Sequence, residues 1–152
     1  MRQGSSQQLY SAFPTRIGSE KLVFNMAEYF LSPYHLLNEQ MEDIKTILSE
    51  ACLNAIEHGQ TWNSPETYAV ELKILNNSLW IRVFDHRQEI LDKENIVQRF
   101  RTIASVFQNH FETRGWGLQI IDHLADSWDF GMENGRTFIE IQVILKHGKE
   151  GR

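Results

Sequence analysis

Four stretches of strict hydrophobic alternation, folded in pairs around tight turns, constrain this chain more than any other feature. Tyr68, Val70, Leu72 and Ile74 share one face of a strand. Asn76-Asn77-Ser78 then supplies a turn, and Leu79, Ile81 and Val83 share one face of the next strand, which ends at Asp85. The second pair is Trp128, Phe130 and Met132, then Asn134-Gly135, then Ile139, Ile141 and Val143. Asn-Gly is the strongest short hairpin signal a sequence offers, because both turn residues must take positive φ. Each hairpin has one apolar face, so each needs a layer to cover it.

The covering layer lies upstream. After a short strand at Leu9–Phe13, closed by Pro14, Ser19 is placed to cap a helix over Glu20–Phe30. Its apolar positions are Leu22, Val23, Met26, Ala27 and Phe30. A longer helix is expected from about Leu36 to His58, with Ile44, Ile47, Leu48, Ala51, Cys52, Ala55 and Ile56 as its core stripe and Gly59 to stop it. A polar stretch from His86 to Arg114 reads as a lid holding one helix around Asn95–Phe107. Gly117–Ala125 reads as a helix opening from Gly115-Trp116-Gly117, and Lys146–Arg152 as a frayed tail. Grouped helices with hairpin strands predict an α+β fold, a two-layer sandwich with helices on one face of a mostly antiparallel sheet. Regular strand–helix alternation is missing, which disfavours a Rossmann arrangement.

The 152 residues fit a single domain that needs no metal or disulfide to hold it. Cys52 is the only cysteine, which suits a reducing cytoplasm. Met1–Phe13 has no long apolar core, and no apolar run approaches the ~20 residues of a membrane span. A cytoplasmic protein without membrane contact is therefore expected. The formal charge of −5 gives no nucleic-acid footprint.

Glu50, Asn54 and His58 are spaced i, i+4, i+8, so they form one polar stripe at the edge of the apolar one. A carboxylate there can accept a proton from a hydroxyl nucleophile. An amide oxygen can ligate Mg²⁺, a hard ion that prefers oxygen donors and substrate phosphates. The bland alternative is a solvated helix face. Arg114-Gly115-Trp116-Gly117-Leu118 opens a helix, where glycines admit a phosphate close to the backbone and free amides can bind it. Alone, such a loop equally serves a turn. Asp85 can accept a hydrogen bond from a base amino group, or merely end its strand. Gly135-Arg136-Thr137, taken alone, is a hairpin turn followed by a β-branched strand residue. The histidines lack zinc spacing, and the tryptophans lack the basic stripe of a base-stacking platform.

The order of these signals matters more than any one of them. Leu48-Ser49-Glu50-Ala51-Cys52-Leu53-Asn54-Ala55-Ile56-Glu57-His58 resembles the N box of the GHKL ATPases, and within them most closely the anti-sigma-factor serine kinases. Arg114–Leu118 resembles their second glycine box, and Leu118–Asp126 the helix after it. Gly135-x-Thr137 resembles the closing G-x-T, and Asp85 falls where the adenine-binding aspartate sits. The resemblance runs from about Leu9 to Leu145 and implies the Bergerat ATP-binding fold. It also implies ATP and Mg²⁺ as cofactors. In that scheme Glu50 is the general base and Asn54 the Mg²⁺ ligand. Asp85 binds adenine with the support of Thr137, and Arg114, Gly115, Trp116, Gly117 and Leu118 surround the phosphates. Family members phosphorylate a serine of an anti-anti-sigma protein and hold off a sigma factor, and many are homodimers.

The sequence departs from the family at its first glycine box. Asp-x-Gly is replaced by Asp85-His86-Arg87, and a side chain at that point narrows the base pocket. A binding module that sequesters a regulatory partner without catalysis is thus the alternative. The catalytic half of a sensor histidine kinase ranks below both, because no phospho-acceptor helix hairpin precedes the N box.

Overall fold

The computed structural model describes residues 7–59, 67–85, 92–98 and 117–148. Five strands form one sheet: β1 (Gln7–Pro14), β2 (Thr67–Leu75), β3 (Ser78–Asp85), β4 (Ser127–Glu133) and β5 (Arg136–Ile144). Their order is β1-β2-β3-β5-β4, and every pairing is antiparallel. The helices are α1 (Glu20–Leu31), α2 (Asn38–Gly59), the short α3 at residues 93–98, and α4 (Gly117–Leu124). A 3₁₀ turn at Ser32–Tyr34 joins α1 to α2.

Both hairpins close as the sequence predicts. Asn76 and Asn77 have φ of 52° and 61°, and Asn134 and Gly135 have φ of 51° and 75°. Two successive positive φ values make a type I′ turn, whose twist matches that of the flanking strands.

Alternation sets the two sheet faces. Tyr68, Val70, Leu72 and Ile74 of β2 join Leu79, Ile81 and Val83 of β3 and Ile139, Ile141 and Val143 of β5 in the main core. Val23, Ala27 and Phe30 of α1 and Ile44, Ile47, Leu48, Ala51, Cys52, Ala55 and Ile56 of α2 cover them, with Ile121 of α4. The opposite face carries Ala69, Phe84 and Phe138. There the Arg82 guanidinium lies 4.3 Å from the Phe138 ring centroid and that of Arg136 4.9 Å from the Phe84 ring. Arg82 also pairs with Glu133 at 3.1 Å and Glu140 at 2.5 Å.

Two local expectations are corrected. Ser19 makes no side-chain cap on α1; its hydroxyl is buried and meets the Tyr68 hydroxyl at 2.8 Å. Residues 146–148, expected to fray, are tied down. The Lys146 amide donates to Gln40 Oε1 at 2.6 Å, and the Gly148 amide to the His35 carbonyl at 2.6 Å. The His147 ring reaches both the Tyr34 carbonyl and Asn77 Oδ1 at 2.8 Å. The expected lid, residues 86–114, lies outside the described residues except for 92–98.

Candidate functional site

Glu50 and Asn54 stand one turn apart in the second half of α2, both half-buried. Their neighbour Cys52 points the other way, into the core, where Tyr68 lies in hydrogen-bond reach of its thiol. Burial pushes that thiol up to about 12, with the Tyr68 hydrogen bond acting in the opposite direction. Burial likewise raises the Tyr68 hydroxyl well above its ordinary value. Both groups therefore stay neutral and serve as structure.

Tyr68 places α2 over one end of the sheet. It neighbours Ala69, which pairs with Phe84, and the next residue of β3 is Asp85. Asp85 in turn faces Thr137 across β3 and β5. By alternation, Asp85 shares the helix-facing side with Val83, and Thr137 shares it with Ile139. The Thr137 hydroxyl hydrogen-bonds Asp85 Oδ1. The pair that the G-x-T and strand-end positions suggested is thus in direct contact, at the end of β3 beside the start of β2.

The approach of α4 is equally direct. Gly117 is buried at its start. A Cβ built there would lie 2.6 Å from Glu50 Oε2. The glutamate carboxylate occupies the space that the missing side chain leaves. Glu50 and the start of α4 therefore converge on one place. The first turn of a helix has amides with no carbonyl partner within the helix, and those amides suit phosphate. Leu118, the next residue, is half-buried and packs on the core. Arg114, Gly115 and Trp116 lie outside the described residues, as does Arg87.

The donor set of these residues suits Mg-ATP. It offers one carboxylate, one amide and a helix start, with an aspartate at the sheet end. Among the described residues no three His, Cys, Asp or Glu side chains gather into a metal-binding group. The Asn54 amide oxygen is a hard donor of the kind that could hold Mg²⁺ together with nucleotide phosphates. A hollow of about 360 Å³ lies at the other end of α2, lined by Glu28, His35, Met41 and Lys45 among others. Lys45 is held there by Glu28, which raises its pKa, and by Glu42 at 3.6 Å, so its ammonium is already paired.

The sequence left one connection unseen. Trp128 donates its indole N–H to Asp122 Oδ1 of α4 at 2.8 Å, and its carbonyl accepts from Lys93 Nζ at 2.6 Å. The same ammonium lies 4.7 Å from the Trp128 ring centroid. Trp128 thereby joins α3 and α4 to β4. Alternation identified it as a core residue only, and no local spacing pointed to Lys93.

Gly117→Ala probes the convergence. The clash falls on the end of a flexible side chain, so stability is expected to change little. The Glu50 carboxylate must move by roughly an ångström, and a displacement of that size can cost about a hundredfold in rate. Kinetics of any Glu50-dependent phosphoryl transfer check this, and an unaltered rate would detach Gly117 from the chemistry.

A two-layer sandwich with a carboxylate and an amide on one helix, set against a glycine-opened helix, defines a nucleotide-binding class of domain. Residues 13–143 match the histidine kinase-like ATPase domain, and the chain belongs to that family. No curated protein sequence matches the chain. Among solved structures it is similar to the RsbU and RsbW domains of Rv1364c from Mycobacterium tuberculosis, with a TM-score of 0.65 and 17% identity over 93% of this chain and 33% of that one. It is also similar to the SiaB–SiaC complex from Pseudomonas aeruginosa, with a TM-score of 0.55 and 12% identity over 89% of this chain and 88% of that one. Both likenesses concern the fold, and this chain spans about a third of the first protein's length. Among the described residues no helix is long and apolar enough to cross a membrane.

Proposed function

We propose that this chain is an ATP-binding anti-sigma factor that phosphorylates a serine of an anti-anti-sigma protein, and that it works as a homodimer. The observation that carries the nucleotide reading is the meeting of Glu50 with Gly117, together with the Asp85–Thr137 contact at the neighbouring sheet end. The partner reading rests on the N-box wording, on the family, and on the names of the RsbW and SiaB–SiaC neighbours.

When bound, Mg-ATP supplies the phosphoryl group. Glu50 then orients the incoming serine hydroxyl and accepts its proton. Asn54 holds the metal through its amide oxygen. Asp85, positioned by the Thr137 hydroxyl, accepts from the adenine amino group. The amides around Gly117, with Arg114 nearby in sequence, neutralise phosphate charge.

Asn54→Ala is expected to weaken Mg-ATP binding at least about tenfold while leaving metal-free nucleotide binding nearly intact. Calorimetry with and without Mg²⁺ measures the difference, and equal affinities would remove Asn54 from the metal site. Arg87 at the first-box position favours one alternative, a non-catalytic module that binds its partner only. Titrating the purified protein with ATP separates the two, because such a module shows no saturable signal. Label appearing on serine of an anti-anti-sigma protein after incubation with labelled ATP would establish the kinase.

A further inference from the structure

Trp128 is held from two helices at once. It lies on β4 opposite Ile141 and is 4% exposed. Packing alone would be served there by any large apolar side chain. Its indole N–H donates to Asp122 Oδ1 of α4 at 2.8 Å, and its carbonyl accepts from Lys93 Nζ of α3 at 2.6 Å. The Lys93 ammonium lies 4.7 Å from the ring centroid, and the Phe130 ring stands at 89° to the indole with centroids 5.6 Å apart. An ammonium over a ring and an edge-on aromatic contact are both directional, so together they fix the tilt of the indole.

That tilt bears on α4. Eight residues are too few for a helix to persist alone in water, so contacts place α4. Gly117 and Ile121, one turn apart, share the face that meets Glu50 and the core. Asp122 lies about 100° further round. Its hydrogen bond to the indole therefore limits the roll of α4 about its own axis. With a Cα radius of about 2.3 Å, a roll of about 25° would shift Gly117 by about 1 Å. The start of α4 has little slack for this, because Glu50 Oε2 already fills the place of a Gly117 side chain.

The same side chain carries α3. Asp92 caps this helix, its Oδ1 accepting from the Glu94 amide at 3.0 Å, and Lys93 is the first helical residue. A helix this short also depends on its contacts. Ile96 and Val97 pack on the core, and Lys93 ties α3 to Trp128. α3 is the described part of the stretch between Asp85 and Gly117, the residues proposed to meet the base and the phosphates. That stretch and the helix proposed to face the phosphates thus share one anchor.

We propose that Trp128 is a positioning residue of the nucleotide site. Its indole sets the roll of α4 so that the first turn meets Glu50, and its contact with Lys93 makes nucleotide affinity depend on α3. This inference rests on the nucleotide reading above and adds the residue that aligns the site. Trp128, Asp122 and Lys93 all act at a distance, since none is among the groups proposed to touch ATP.

The test is Mg-ATP binding by calorimetry, with urea unfolding of the same samples. Asp122→Ala and Trp128→Phe each remove the indole hydrogen bond. Each is expected to weaken binding about tenfold, the low end of what losing an orienting partner costs. Asp122→Asn keeps an acceptor oxygen and should bind as the wild type does. Asp122 is exposed, so its alanine variant should keep the wild-type urea midpoint and carries the test even if Trp128→Phe is less stable. The double variant should lose no more than either single one, because both changes break one bond. Lys93→Ala is expected to weaken binding about threefold, as one lost cation–π contact would. A wild type with no ATP signal would sink the nucleotide reading and this inference together. ATP bound equally by wild type, Asp122→Ala and Trp128→Phe would overturn the inference and leave the reading intact. A loss that follows the urea midpoint down, or that Asp122→Asn does not restore, would reduce Trp128 to core packing and overturn it as well. Unchanged affinity in Lys93→Ala would overturn the part assigned to α3.

Discussion

Glu50→Ala is expected to lower serine phosphorylation by about 10²–10⁴-fold, the usual contribution of a positioned general base. Nucleotide binding should survive, because the amides at the start of α4, Asn54 and Asp85, the groups proposed to hold it, are untouched. The carboxylate also fills the space beside Gly117, so its removal leaves room there. The folded state loses no core residue, since Glu50 is only half-buried. Glu50→Asp should recover part of the rate, as it keeps the base but shortens its reach. Single-turnover transfer from ATP to the partner serine measures these differences. Unchanged phosphorylation in the alanine variant would assign the base to another residue.

Ile81→Ala is expected to destabilise the fold by about 2–5 kcal/mol, the range for deleting a buried isoleucine to alanine. Ile81 sits on the central strand and pairs with Leu72 on one side and Ile141 on the other. All three have no measurable exposure. Strands hydrogen-bonded on both sides have little freedom to close the resulting cavity. Urea unfolding should show a lower midpoint with an unchanged slope. A loss below about 0.5 kcal/mol would mean that the helices above β3 relax far more than this packing suggests.

The hairpins were legible because their turns and their alternation agree. Asn76-Asn77 and Asn134-Gly135 required positive φ, and the strands beside them had one apolar face each. The helices were legible from their stripes. Glu50 and Asn54 are both half-buried on one helix, and their polar stripe was legible from spacing along it. The contact between Asp85 and Thr137 was not, since it joins two strands 52 positions apart. Only family order suggested it. Ser19 shows how a local rule is overridden. It looked like a helix cap, but a buried tyrosine hydroxyl competes for the same oxygen. Lys93 and Trp128 met for reasons of tertiary packing, which no window along the chain contains.

The phenol of Tyr68 has a consequence for motion. Its single oxygen meets Ser19 at the root of α1 and the thiol of Cys52 inside α2, deep under both helices. Moving α1 alone would take one of that oxygen's two partners away where no water replaces it, at a cost of up to about 1–3 kcal/mol. One buried oxygen thereby ties the root of the first helix to the helix that carries Glu50.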